Sequence, residues 1–346
     1  MTQAITLHSS TIRNSSFDLL NVPLEVLSII LVKMGGYAVD NVRNLSVSQE
    51  YRNHVLSAIP YVDELTTIRT TILRRFTGVK HLVIENGTIE NSRYLNKRIS
   101  LFNNITFLSI PASFMANLIE DDDTKLRMPN LRCLEITPTY RCSVLSINPK
   151  IVSMLKVVKI YGHWITNIDE VQTLETLEMS EVEIDIKVLN KLNISRLKLS
   201  YCDYLDDIKV LNIPSLRKLE IIDVEIDIEM LNGLNITELH LTDVEIVHGD
   251  TLNIPYLESL VLTNMYGLDV CNSERLKMLT LDNCTLGYGY YKMDKLETLN
   301  ILRIRRYLNL DIVKSEFPNL RYLNIYSTSV KVCGNVPDNL LITYKV

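Results

Sequence analysis

The sequence predicts an α/β solenoid: a curved parallel sheet with an irregular convex side, preceded by a small N-terminal helical bundle. Three observations predict it. The run that begins Glu181-Val-Glu-Ile-Asp-Ile and ends at Leu199 returns almost unchanged from Asp223 to Leu241. A second echo pairs Leu211-Asn-Ile-Pro-Ser-Leu with Leu252-Asn-Ile-Pro-Tyr-Leu. Val182 to Val224 is 42 residues and Leu211 to Leu252 is 41, so the unit is about 21 residues, written in alternating pairs. Third, the pattern apolar-x-x-apolar-x-apolar recurs to the end of the chain, and a fixed period of this size marks a stacked array.

The elements follow in order. Residues 1–16 are polar, rich in Ser and Thr and without period, which predicts a flexible tail. Residues 17–60 predict a small helical domain. Val26, Leu27, Ile30, Leu31 and Met34 fall at helical spacing behind Pro23, which suits a first turn, and Gly35-Gly36 ends the helix. A second piece carries Val39, Val42, Leu45 and Val47, and a third carries Tyr51, Val55 and Ile59. Residues 61–78 place Val62, Leu65, Ile68, Ile72 and Leu73 on one stripe. This predicts a helical cap over the open end that such an array must close.

From residue 79 to 346 the repeat takes over. Its first apolar position recurs as Val79, Ile105, Leu131, Leu155, Leu174 and onward to Leu320 and Leu341. Those 262 residues contain 12 intervals of about 22 residues each, which gives about 12–13 repeats. The last residues of Leu-x-x-Leu-x-Leu form a short strand whose leucines point into the core, while the residues between them point out of the concave face. The rest of each repeat returns along the convex side. There Val188, Leu189 and Leu192, then Met230, Leu231 and Leu234, predict short helical or 3₁₀ turns.

Over roughly three quarters of its length the chain thus resembles a leucine-rich-repeat (LRR) protein. The resemblance implies a leucine-rich-repeat solenoid with a binding face on its strands. One position departs from the family. Where many members place Asn after the strand, this chain has Cys202, Cys284, Val182, Val224 and Val244. The turn backbone must then be satisfied by other means.

The N-terminal helices carry a second resemblance. Val22-Pro-x-Glu25-Val26-Leu27-x-x-Ile30-Leu31, followed by Val47-Ser-x-x-Tyr51-Arg52, resembles the F-box motif over about 35 residues. Val22 stands for the usual Leu, Leu31 for a Phe, Gln49 for a Lys and Tyr51 for a Trp or Phe. The resemblance implies that Pro23, Glu25, Val26, Leu27, Ile30 and Leu31 define the helix or face a Skp-type adaptor, with Val47, Tyr51 and Arg52 completing the bundle. In proteins that join an F-box to leucine-rich repeats, the F-box docks on the Skp adaptor of a cullin–RING ubiquitin ligase. The repeats hold a substrate protein for ubiquitination. A purely structural cap is the alternative for residues 17–60. The abundance of Asn, Ile, Lys and Tyr is similar to that of such proteins in large DNA viruses and amoebae.

Composition narrows the function. The net charge is -5, with 47% hydrophobic and 22% charged residues, so the chain reads as soluble and folded. A mildly acidic chain lacks the basic face that nucleic acid requires; Arg303, Arg305 and Arg306 are one short cluster. No apolar run reaches the ~20 residues of a membrane span, and the first ten residues lack an apolar signal core. The six cysteines include no Cys-x-x-Cys pair and read as reduced, buried thiols. The expected location is cytoplasmic or nuclear, in the host cell for a viral chain. The six histidines show no metal-ligand spacing, and no phosphate loop or nucleophile elbow is present. The acidic run Glu120-Asp-Asp-Asp123 reads as a solvated loop. No cofactor and no catalysis are expected.

What remains is a surface. The central outward column is predicted to run Glu135, Lys159, Glu178, Lys198, Glu220, His240, Val261, Thr280, Asn300 and Asn324. Its first half alternates in sign, which serves either a self-neutralising solvated ladder or a charge-reading site. In its second half, Val261, Thr280, Asn300 and Asn324 are flanked by Met278, Thr298, Leu302, Tyr322 and Tyr326. That composition suits a protein-binding patch, although Tyr322 and Tyr326 equally suit the cover of a terminal repeat.

Overall fold

The computed structural model describes residues 22–23, 26–27, 30, 64–67, 79–84, 104–112, 128–138, 144–147, 154–162, 164–182, 185–202, 211–249, 251–266, 268–270, 274–284, 293–304, 308–311, 317–326, 330–333, 336 and 338–344. The chain divides into two compact units, Met1–Ile105 and Thr106–Val346.

In the first unit, the N–H groups of Val26 and Leu27 both donate to the Pro23 carbonyl at 3.0 Å, opening a helix to which Val26, Leu27 and Ile30 belong. Strands β1 (Glu64–Thr67) and β2 (His81–Ile84) pair in parallel, with Leu65 opposite Leu82. Over residues 64–67 this strand replaces the helix expected across 61–78, the rest of which lies outside the described residues. The three-residue spacing of Val62, Leu65 and Ile68 fits a helix face and the opening of a repeat equally well. The β-branched pair Thr66-Thr67 and a ready leucine partner favour the strand.

The second unit is one run of parallel strands laid side by side in chain order. They are β3 (Phe107–Pro111), β4 (Cys133–Thr137), β5 (Val157–Tyr161), β6 (Thr176–Ser180), β7 (Arg196–Ser200), β8 (Lys218–Ile222) and β9 (Glu238–Thr242). β10 (Ser259–Thr263), β11 (Met278–Asp282), β12 (Thr298–Leu302), β13 (Tyr322–Tyr326) and β14 (Leu341–Tyr344) complete it. Side chains alternate across each strand, so the second and fourth residues share one face. Three such pairs, Leu197 with Leu199, Leu239 with Leu241 and Leu279 with Leu281, are at most 2% exposed. The repeat-opening residues Leu155, Leu174, Ile194, Leu216, Ile236, Leu257, Leu276, Leu296 and Leu320 are buried behind them. Each fully buried side chain of this kind contributes about 1.5–3 kcal/mol of transfer free energy, and stacking repeats makes the burial mutual. At the last strand the expected rung shifts. Leu341 pairs in register with outward Tyr322, and Ile342 takes the inward place opposite Leu323.

The turn after the strand explains how the chain manages without the usual Asn. Gly162, Glu181, Tyr201, Asp223, Asp243, Asn264, Asn283 and Arg303 follow successive strands, all with positive φ, 71° for the glycine and 48° to 55° for the others. Their N–H groups donate to Ser180, Ser200, Ile222, Thr242, Thr263, Asp282, Leu302 and Tyr326 of the next repeat at 2.8–3.3 Å. This backbone ladder satisfies the turn. The next position is then free to be apolar and buried, as it is for Val182, Cys202, Val224, Val244, Met265, Cys284 and Ile304. Cys202 Sγ donates to the Ser200 carbonyl at 3.3 Å and Cys284 Sγ lies 3.2 Å from the Leu262 carbonyl, so both thiols hold structural positions.

The return side varies from repeat to repeat. Helix α1 (Ile186–Leu189) and helix α2 (Ile228–Asn232) form where the near-verbatim run predicts helical turns. Asp185 and Asp227 cap them, accepting from the Lys187 and Glu229 N–H groups at 2.8 and 2.9 Å. A 3₁₀ turn occupies Ile168–Glu170. Elsewhere short parallel pairs replace helices, as where Val144–Ser146 meets Trp164–Thr166 and Leu308–Asp311 meets Val330–Cys333.

Candidate partner-binding face

The outward residues of the second unit stand in three columns, fixed by the parallel register. The central column runs Glu135, Lys159, Glu178, Lys198, Glu220, His240, Val261, Thr280, Asn300, Asn324 and Thr343, each opposite the next. Sequence period and register agree from Glu135 to Asn324.

Its first half is held by ion pairs. Lys159 Nζ lies 2.9 Å from Glu178 Oε2, and Lys198 Nζ lies 2.5 Å from Glu220 Oε1. The hydrogen bond that Lys159 donates to Glu178 holds its ammonium above the ordinary lysine value, against a smaller desolvation effect. In the first column Lys218 pairs with Glu238 at 3.2 Å, and at the strand entrance Lys156 pairs with Glu175. His240 closes this half. Burial, then the nearby Lys218, push its imidazole below the ordinary histidine value. Pairs this exposed contribute a few tenths of a kcal/mol up to about 1 kcal/mol each.

The second half changes chemistry. Asn324 Nδ2 donates to Asn300 Oδ1 at 2.8 Å, and Asn300 Nδ2 donates to Thr280 Oγ1 at 3.0 Å. Val261 adjoins Thr280 in register and is half-buried. The first column beside them reads Met278, Thr298, Tyr322 and Leu341 across four neighbouring strands. Met278 is 39% exposed, Tyr322 48% and Leu341 62%. The third column reads Asp282, Leu302 and Tyr326, with Tyr326 exposed and Leu302 half-buried. Asp282 is neutralised by Arg303, whose Nε donates to Oδ1 at 2.6 Å while Nη2 meets Oδ2. These bonds to Asp282 hold the guanidinium above its usual range.

All nine residues expected on this patch therefore share one sheet face. The face also gains Leu341, which was read as a core rung; the alternation Leu341, Ile342, Thr343 was the available signal for its outward parity. Arg303, the first of the short basic cluster, is committed to Asp282; Arg305 and Arg306 lie outside the described residues.

Of the F-box-like residues, Val26 is 45% and Ile30 36% exposed, whereas Leu27 is 3% exposed. Pro23 is exposed, and Glu25 and Leu31 lie outside the described residues. The thiol of Cys284 is pushed up by burial, the opposite of what a nucleophile needs. Among the described residues no group of three or more His, Cys, Asp or Glu is placed to hold a metal ion, and no helix is long and apolar enough to cross a membrane. The acidic run 120–123 lies outside the described residues.

Comparison with known proteins places the repeats. The family described as At1g61320/AtMIF1, LRR domain, matches residues 98–339. No curated protein matches the chain. A leucine-rich-repeat domain is characteristically a non-catalytic protein–protein interaction module, which agrees with a site made of outward sheet residues. With more than two thirds of its residues matched, the chain belongs to the At1g61320/AtMIF1 leucine-rich-repeat domain family.

Proposed function

We infer that this chain is a non-catalytic adaptor that joins a protein partner to a Skp-type subunit of a cullin–RING ubiquitin ligase. The F-box-like helix docks the Skp adaptor, and the uncharged half of the sheet face, from Val261 to Tyr326, holds the partner as a ubiquitination substrate. The chain makes no bond itself. It raises the effective concentration of the tethered substrate near the ligase. The observation that carries the adaptor role is the pair Val26 and Ile30. One turn apart, both apolar and both more than a third exposed, they share an outward helix face. Leu27, in contrast, is buried.

The burial of Leu27 and of Val22 favours a second reading, in which these helices only cap an interaction protein with no ligase link. Co-purification with a Skp-type adaptor separates the two. Wild-type chain is expected to retain the adaptor, and the V26D/I30D double variant to lose it while keeping its circular dichroism. Absence of adaptor from the wild-type sample selects the cap reading.

A further inference from the structure

We propose that the uncharged half of the sheet face takes an uncharged peptide segment of its partner, rich in apolar and aromatic side chains, and that this contact is insensitive to salt. The proposal rests on the reading of this face as the partner-binding surface and assigns the chemistry that reading leaves open.

Three features of the face point to such a segment. First, its polar centre is partly satisfied from within. Thr280, Asn300 and Asn324 make two hydrogen bonds among themselves, so a partner that covers them has fewer polar groups to match. Second, its charges are cancelled. Asp282 is bound by Arg303, Glu258 by Lys277 at 2.8 Å, and the remaining rim charges, Glu297 and Arg321, have opposite signs on adjoining repeats. A charged ligand would find no net counter-charge in these three oppositely charged sets, and would lose hydration on docking. Third, exposed apolar groups surround the amide line. Met278 stands three strands before the end of the described sheet, so its exposure is not an effect of the last rung. Tyr322 and Tyr326 supply large, rigid contact area at low entropic cost, as interface anchors do. The same columns in the first half carry Lys218, Glu238 and the Lys198–Glu220 pair, which would penalise an apolar segment.

The probe is a phage-displayed random-peptide library panned on the immobilised full chain. Recovered peptides are then measured by fluorescence polarisation. We expect them to be enriched in apolar and aromatic residues and depleted of charged ones. Their Kd is expected to change less than about twofold between ~50 mM and ~500 mM salt, because no charge pairs form on binding. Y322A/Y326A is expected to weaken them at least about tenfold, as loss of aromatic anchors does. Y322F/Y326F, which keeps the ring packing, is expected to recover most of the affinity lost in Y322A/Y326A, and K198Q/E220Q in the other half to leave binding unchanged. Peptides that depend on Tyr322 and Tyr326 but are charged and salt-sensitive would overturn the chemistry and leave the binding face standing. Failure to recover any peptide, or peptides indifferent to Y322A/Y326A, would overturn both.

Discussion

His240 marks the residue at which the sheet face changes character. Its imidazole lies between the ion-paired rungs and Val261, with Lys218 and Lys198 disfavouring its protonation and Glu220 and Glu238 favouring it. Burial is the largest influence, and the folded value lies below the ordinary 6.5. The unfolded chain therefore binds a proton more readily than the folded one. Above pH 6.5 both states are neutral at this residue and it costs nothing; as pH falls from 6.5 toward the folded value, stability is lost, and the loss is complete below that value. H240Q removes this dependence. The denaturation midpoint of H240Q is expected to rise relative to wild type on acidification below pH 6.5, with no change in the difference above it; an unchanging difference would contradict the assignment. The column that contains His240 was legible, since a period of two within a period of about 21 dictates which side chains face out. The turn residues beside it were not. Tyr201, Glu181 and Arg303 adopt positive φ, which costs such side chains about 1–2 kcal/mol each, and sequence preference alone argues against it. They hold it because the inter-repeat N–H bond is otherwise lost.

At the scale of elements, the alternation of two repeat types has a physical cause in one asparagine position. Asn190 Oδ1 accepts from the Asn212 N–H, and Asn232 Oδ1 accepts from the Asn253 N–H, each at 2.6 Å. Asn232 Nδ2 also donates to the Thr251 carbonyl at 3.1 Å. The end of each short helix is thereby fastened to the Asn-Ile-Pro run of the following repeat. The fastening recurs at Asn190 and Asn232, 42 residues apart, in step with the echo. A helix of four or five residues has no stability of its own and depends on such fastening. N232A removes both bonds of this fastening. It is expected to cost about 1–3 kcal/mol in urea unfolding, whereas loss of an exposed amide with no such role would cost less than about 0.5 kcal/mol. The short helices were legible in the spacing of Val188, Leu189 and Leu192 and of Met230, Leu231 and Leu234. The aspartate caps and the staple were not, because an Asn at a helix end serves equally as a turn residue until the next repeat is placed beside it. The strand Glu64–Thr67 escaped for a related reason: four residues are too few for the strand period to outvote the helical one.

For the repeat unit as a whole, each strand touches only its neighbours, so the stability of a rung depends on how many neighbours it has. Leu239 is fully buried, with Leu219 on one side and Leu260 on the other. Ile342 occupies the same inward position on β14 with Leu323 on one side, and it is half-buried. The sequence made both positions apolar; only the stack shows that one is enclosed twice and the other once. The same limit applied to the binding patch, where nine outward residues could be listed from the period, but the hydrogen-bonded amide line and the Asp282–Arg303 pair depend on side-chain reach across rungs. If neighbour count governs stability, the two substitutions separate cleanly. L239A leaves a cavity between two rungs and is expected to cost about 2–5 kcal/mol. I342A removes a side chain already partly in water and is expected to cost less than about 2 kcal/mol. Denaturant unfolding of the two variants side by side measures both. Equal losses would mean that the last strand is as enclosed as the middle one, and the apolar surface at Leu341 and Tyr344 would then have to be covered rather than presented to a partner.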